Sequence, residues 1–466
     1  MNSNNKAIKS GVWYLFSDFL LRAIGLVTTP FFTRLLTKSD FGAYSNYHSW
    51  QLIINIFITM NISATLISAK YDYKKEFDQY ILSICAVIAF NSMVFFILVN
   101  ILSDKFETWF NIKIGFLRLM SIYIFFSAVL GLYIVRERYY YKYKTSVFFS
   151  LSNVCASTIL SLLFVVTWEN RLEGRIVGMS IPTIVLGTLI LVYFIKKGRT
   201  PRFYHIKYAI PICLPYIPHS LSLVLLSSMD KIQITALCGS NDNALYSAAY
   251  TCGSAITLFV SSMNHAFVPW LADHLESKNY KSINDVSRYY IGYFLFGAIG
   301  VMLMMPEILF IIGGRAYEGA RFVMAPVALG IIFQFLYTML VNIEQFEKNT
   351  KPMAMATMIA AFVNYITNTI FIKRYGYMAA AYTTAGSYFL LLILHMIIVY
   401  RMGMRDIYSY RFFMIAVTIS TTATVFIEFL FHNNMSRYTV LAIYIAFAII
   451  VLYKSRNKIL IWVKRR

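Results

Sequence analysis

Asp18 and Arg22 stand four residues apart in the apolar run from Gly11 to Phe32, so a helix carries both on one face. The run holds roughly 20 residues, which at about 1.5 Å each is the length that crosses a bilayer. A charge near mid-membrane costs on the order of 2.5 kcal/mol or more, so this face is expected to line protein or a water-filled cavity. There a guanidinium can pair with a carboxylate or hold a phosphate in its fork of donors. Two readings stay open: a neutralised pair that only ties a bundle together, or an anion-binding Arg22 held in place by Asp18. A helix that starts late would instead leave Asp18 near the interface.

The elements that must position such residues follow from composition. The 466 residues are 59% hydrophobic and only 14% charged, with a mean hydropathy of +0.61. An ordinary soluble domain carries about 25% charge. Apolar runs recur along the whole chain, at 11–33, 43–68, 81–102, 116–135, 146–167, 176–195, 209–230, 244–270, 289–312, 321–341, 353–372, 378–399, 411–431 and 438–453. All read as helices, because open sheet edges go unsatisfied in hydrocarbon. The expected class is an all-α polytopic membrane protein of about fourteen spans. The start, MNSNNKAIKSG, has no small-residue cleavage site after a short apolar region and reads as a tail before a retained first helix.

With the N-terminus inside, the alternate connections assigned to the cytoplasm carry 28 of the 42 Lys and Arg, against 12 outside. That asymmetry sets the orientation, with both termini cytoplasmic. It also absorbs most of the formal +21 charge, so no nucleic-acid partner is needed. The basic, Tyr-rich inner stretches, such as RERYYYKYK from Arg136, suit the headgroup region and membrane lipids; they also qualify as a landing site for an anionic lipid-linked substrate. Cys85, Cys155, Cys213, Cys238 and Cys252 are scattered, without metal-ligand spacing.

The run at 209–230 contains Pro211, Pro215 and Pro218, then His219, and ends on Asp230-Lys231. Proline removes backbone donors and kinks a helix, and in a membrane such a segment is tolerated against protein or a cavity. It reads either as a moving, cavity-lining element or as a permanently bent packing helix. An internal echo links RLLTKSDFGAYSNYHS from Arg34 with ALCGSNDNALYSAAYTC from Ala236, six spans apart. An even step keeps both copies in one orientation, so the repeats are expected to be parallel.

LVTTPFFTRLLTKSDFGAYS, SMDKIQITALCGSNDNALYSAAY from Ser228, IIGGRAYEGARFVMAPVALG from Ile311 and YGYMAAAYTTAGSY from Tyr375 together resemble the bacterial polysaccharide flippases. These translocate O-antigen or capsule repeat units and belong to the multidrug/oligosaccharidyl-lipid/polysaccharide exporter superfamily. The resemblance covers essentially the whole chain. It implies two parallel six-helix lobes, 1–200 and 201–400, with two further helices and a basic tail in 401–466. It also implies a cationic central cavity that opens alternately to each side of the bacterial cytoplasmic membrane. The implied substrate is a glycan on undecaprenyl diphosphate, with a polysaccharide polymerase and assembly proteins as downstream partners. Arg22 matches the expected basic residue, and Asp18, Arg118, His219 and Lys231 are the other candidates for the cavity. Asp18, Asp230, Glu307 and Glu428, within or at the ends of spans, are candidates to couple H+ or Na+.

Enzymatic chemistry finds little footing. There is no GxxxxGK[ST] loop, no HExxH and no GxSxG, so no catalytic residue, metal or cofactor is assigned. An integral-membrane glycan polymerase or ligase is the enzymatic alternative, but the longest outer connection is only about a dozen residues, too short for the usual catalytic loop. An ion-coupled drug or small-solute exporter of the same superfamily is the other.

Overall fold

The computed structural model describes the backbone of residues 3–464 and the side chains of residues 13–450, apart from those at 15, 18, 262, 265 and 266. Among the described residues every regular element is helical. The α-helices run, in chain order, α1 (Ser3–Leu35), α2 (Lys38–Thr59), α3 (Leu66–Asp72), α4 (Phe77–Ile101), α5 (Ser103–Phe110), α6 (Ile114–Tyr139), α7 (Tyr143–Thr167), α8 (Arg171–Gly198), α9 (Phe203–Cys213) and α10 (Tyr216–Cys238). They continue as α11 (Ser240–Glu276), α12 (Tyr280–Leu303), α13 (Met305–Gly313), α14 (Arg321–Phe346), α15 (Thr350–Tyr375), α16 (Met378–Arg401), α17 (Tyr410–Leu430) and α18 (Asn434–Lys464). Eleven of the fourteen apolar runs of the sequence fall on unbroken helix to within a terminal residue, and three are interrupted. Eleven described helices are long and apolar enough to cross a membrane, or twelve if α2 and the Ile62–Asp72 segment form one bent span. The chain is therefore an all-α, multi-pass membrane protein.

Three expected spans are broken, each for a local reason. The second bends by 48° between Thr59 and Ile62, where Met60 and Asn61 take left-handed backbone angles. Inside a membrane the carbonyls released by such a bend need donors. Asn91 of α4 supplies one, giving its Nδ2–H to Ile58 O at 3.0 Å. The seventh span divides into α9 and α10 around Leu214 and Pro215, beside the proline cluster. Ser222 Oγ donates to Pro218 O at 2.8 Å, using a carbonyl near the break. The ninth ends at Leu303, and α13 restarts it with Pro306 in its first turn, where a missing N–H costs nothing.

The chain forms two compact units. The first comprises Met1–Ser247 with Lys351–Thr383, the second Ala248–Thr350 with Thr384–Arg466. In the first unit α7 and α8 approach closely because α8 offers Gly174 and Gly178, four residues apart. A Cβ at Gly178 would lie 2.5 Å from Ser161 Cα, and one at Gly174 would lie 2.7 Å from Phe164 O. Small residues at this spacing let membrane helices bring their backbones together. Ser157 and Ser161 then donate to Met179 O and Arg175 O across the seam.

Ends of helices in the same unit are tied by charge. Arg136 forks onto both oxygens of Asp78, at 2.6 and 3.1 Å, and also meets Glu137. His205, at the start of α9, is fully buried, with Nδ1 3.0 Å from Ser83 Oγ and Nε2 3.5 Å from Glu76. Burial lowers its pKa despite Glu76. In the second unit α14 is the central helix, with Phe335 stacked on Phe294 at 3.7 Å.

Candidate functional site

Three basic side chains converge in the first unit from α2, α8 and α10. Lys231 and Arg175 both lie near enough to His48 for their charges to act on it; His48 is exposed and Lys231 half-buried. Arg175 is clasped in place: its guanidinium sits 3.6 Å from the centre of the Phe32 ring and 4.7 Å from that of Tyr44. It also donates to the Tyr44 hydroxyl at 3.3 Å, and Tyr44 in turn donates to Met179 Sδ at 3.2 Å. Cation–π contact and the close α7–α8 seam thus fix the direction of the fork. Like charges gathered in membrane-spanning helices oppose one another, and an entering anion offsets both the repulsion and the lost hydration.

Asp230, next to Lys231, faces the other side of α10 and is buried. Tyr246 donates to its Oδ2 at 2.5 Å, and Asn368 Nδ2 to its Oδ1 at 2.7 Å. Asn364 Oδ1 lies 3.3 Å from the Asn368 amide, whose oxygen accepts from Thr383. A hydroxyl from α11 and an amide N–H from α15 therefore hold the α10 carboxylate, and a hydroxyl from α16 holds the amide oxygen. With a single carboxylate the charge balance fits a monovalent ion or a proton. Among the described residues no group of three or more His, Cys, Asp or Glu is arranged to hold a metal ion.

Near this cluster the two echoed segments of the sequence touch each other. Ser45 Oγ and Ser247 Oγ, equivalent positions of the echo, are 2.6 Å apart. Asn243 donates to Gly42 O at 2.9 Å and to Thr235 Oγ1 at 2.8 Å. Helix α2 starts here on a Thr37 cap, whose Oγ1 accepts from Asp40 N at 3.1 Å. The crossing is so close that a Cβ at Gly42 would lie 1.8 Å from Ser240 O. Both segments belong to connections that the charge asymmetry assigns to the outside.

The structure brings Lys231 and Asp230 into this region, whereas Glu307 and Glu428 belong to the second unit. Arg22 on α1, Arg118 near the start of α6 and His219 on α10 are all in the first unit; the two arginines are exposed and His219 is half-buried. The Asp18 side chain lies outside the described residues, and so does its pairing with Arg22. Glu307 accepts both ends of the Arg437 fork, one at 2.7 Å, and the Tyr438 hydroxyl at 3.0 Å. That carboxylate anchors α18 on α13. Glu428 is half-buried near the end of α17. Sequence reasoning missed His48, Arg175, Tyr246, Asn364, Asn368 and Thr383. The recoverable signal was the Asn364/Asn368 pair at helical spacing inside an apolar run.

A model of the family described as "Polysaccharide biosynthesis protein" matches residues 7–275, more than half of the chain. The chain belongs to that family. This polysaccharide biosynthesis protein is 20% identical over 368 residues to a protein named "Uncharacterized membrane protein" from Haemophilus influenzae, covering 76% of this chain and 88% of that one. Its fold matches that of the lipid II flippase MurJ in an inward closed conformation, with a TM-score of 0.74 at 15% identity over 97% of this chain and all of the other. It also matches an inward-facing multidrug resistance MATE family transporter of the MOP superfamily, with a TM-score of 0.68 at 12% identity over 84% of this chain and 95% of that one. The polysaccharide biosynthesis protein thus shares its fold with transporters of that superfamily.

Proposed function

We propose that this protein flips glycans linked to undecaprenyl diphosphate from the inner to the outer leaflet of a bacterial cytoplasmic membrane, by alternating access, for surface polysaccharide assembly. The observation that carries the reading is the basic wall that Arg175 and Lys231 form beside His48 on membrane-spanning helices of a polysaccharide biosynthesis protein. The diphosphate enters that wall with its sugars while the isoprenoid chain stays in lipid. Arg and Lys offset the desolvation of the phosphates without a covalent intermediate. The family and the MurJ-like fold support the same substrate class. A polymerase acting outside would consume the product and pull the cycle forward.

The finer architecture belongs to this reading. Fourteen spans, lobes at 1–200 and 201–400, two appended helices in 401–466 and cytoplasmic termini agree with the echo and with the charge asymmetry. The touching echoes then close the outer side, and their parting opens it. An H+ or Na+ gradient supplies the drive, and Asp230 is the most deeply buried of the described carboxylates named as coupling candidates.

Arg22 is the expected diphosphate contact deeper along α1, ten residues and about 15 Å before Phe32. Arg22→Ala and Arg22→Lys should both accumulate normally in the membrane. Alanine should abolish surface glycan, and lysine should retain part of it. Export at the wild-type rate by Arg22→Ala, or loss of the folded protein, would remove Arg22 from the substrate path.

A further inference from the structure

Far from the cationic wall in sequence, the second unit buries a carboxylate against an imidazole. Glu344 lies two residues before the end of α14 and His395 six before the end of α16. Glu344 Oε1 and His395 Nδ1 are 2.7 Å apart, and both side chains are 0% exposed. Each keeps a second buried polar atom without a hydrogen-bond partner, Oε2 on the glutamate and Nε2 on the histidine. Tyr337 stacks on the imidazole at 5.6 Å, and Tyr388 stacks on Tyr337 at 6.1 Å. Tyr408, leading into α17, donates to Met339 O at 3.4 Å, and Tyr290 of α12 acts on Tyr408. Glu347 and Lys348 follow in the turn after α14, and Arg401 closes α16. The groups around the pair are thus mainly tyrosines, which are uncharged at neutral pH.

The charge states of such a pair are unequal in energy. A carboxylate beside a neutral imidazole leaves one net negative charge in a dry interior, a cost of several kcal/mol. One added proton gives carboxylate with imidazolium, or carboxylic acid with imidazole, and neither carries net charge. Only the singly protonated pair is therefore neutral overall. Release needs water at Nε2: the Nε2–H bond breaks, its electron pair stays on nitrogen, and the water carries the proton away. Nδ1–H meanwhile remains donated to Glu344 Oε1. Uptake is the reverse. The two unpartnered atoms are where water would meet the pair, and buried polar atoms without partners are rare enough to need such an explanation.

We propose that Glu344 and His395 form a proton-binding site, loaded while dry and unloaded when a conformational change wets it, through which a proton gradient drives the transport cycle. The proposal rests on the flippase reading and adds a site distinct from the Asp230 cluster. The plain alternative is a static tie between α14 and α16.

The full-length protein is reconstituted in phosphatidylethanolamine/phosphatidylglycerol vesicles with undecaprenyl diphosphate carrying one N-acetylhexosamine. A glycosidase added outside reports the sidedness of this probe. A cycle moving one proton shifts the outer-to-inner ratio about tenfold per unit of pH gradient. Glu344→Gln and His395→Gln should still equilibrate the probe, with a ratio that no longer follows the gradient. A wild-type ratio indifferent to the pH gradient overturns the proposal whatever the variants do. So do variants that keep the tenfold response. A wild-type protein that moves no probe at all contradicts the flippase reading instead. Infrared difference spectra across a pH step then decide the site separately: carboxyl and imidazole bands lost in Glu344→Gln support it, and unchanged bands overturn it.

Discussion

Gly42→Ala is expected to reduce surface glycan by an order of magnitude or more while leaving the protein in the membrane. The new methyl carbon would sit 1.8 Å from Ser240 O and 2.7 Å from Ser240 C, both backbone atoms that cannot swing aside. Relieving such overpacking costs about 1–3 kcal/mol. The cost falls only on the arrangement in which the two echoed segments touch, so the equilibrium moves toward their separation by about 5- to 150-fold. Cysteines at the Ser45 and Ser247 positions, whose oxygens are 2.6 Å apart, give the readout. Ser45→Cys/Ser247→Cys should form a disulfide readily with Gly42 and poorly with Gly42→Ala. Equal cross-linking and normal glycan display in the alanine variant would remove the crossing from the mechanism.

The second large effect is expected at Asp230. Asp230→Asn keeps the shape of the side chain and one acceptor for Tyr246 or the Asn368 amide, but it removes the charge that a cation would neutralise. The stability loss should stay near the roughly 1–3 kcal/mol of a disturbed buried hydrogen bond. Transport should lose its response to a sodium gradient, which for one coupled ion is about tenfold for each decade of concentration ratio. Vesicles with imposed sodium gradients, wild type beside variant, make the comparison. A variant that responds to sodium as the wild type does would leave the Asp230 cluster a packing feature.

Much of the helical plan could be read from hydrophobic runs, because in hydrocarbon the backbone has few alternatives to the helix. The proline cluster at 211–218 marked the broken seventh span. The break after Thr59 was hidden, since it rests on left-handed angles at Met60 and Asn61 and on a donor, Asn91, some thirty residues away. The echo of Ala-Tyr-Ser and Leu-Tyr-Ser was visible as a pattern, but nothing in it said that the copies would touch. The site was harder. Nothing in the sequence singled out Arg175 or His48. Their convergence with Lys231 depends on three helices and on the glycines that draw α8 onto α7. Glu344 and His395 are 51 residues apart and carry no motif, so only packing reveals the pair.

The central claim is that the protein carries lipid-linked glycan across the membrane, and the most direct measurement is the sidedness of that lipid in cells lacking it. Undecaprenyl-diphosphate-linked repeat units should accumulate in the inner leaflet, protected from a glycosidase added to intact spheroplasts and cleaved once the spheroplasts are opened. Restoring the wild-type chain should return them to the outer leaflet. Repeat units that build up unpolymerised but already accessible from outside would contradict the account and point to a polymerase.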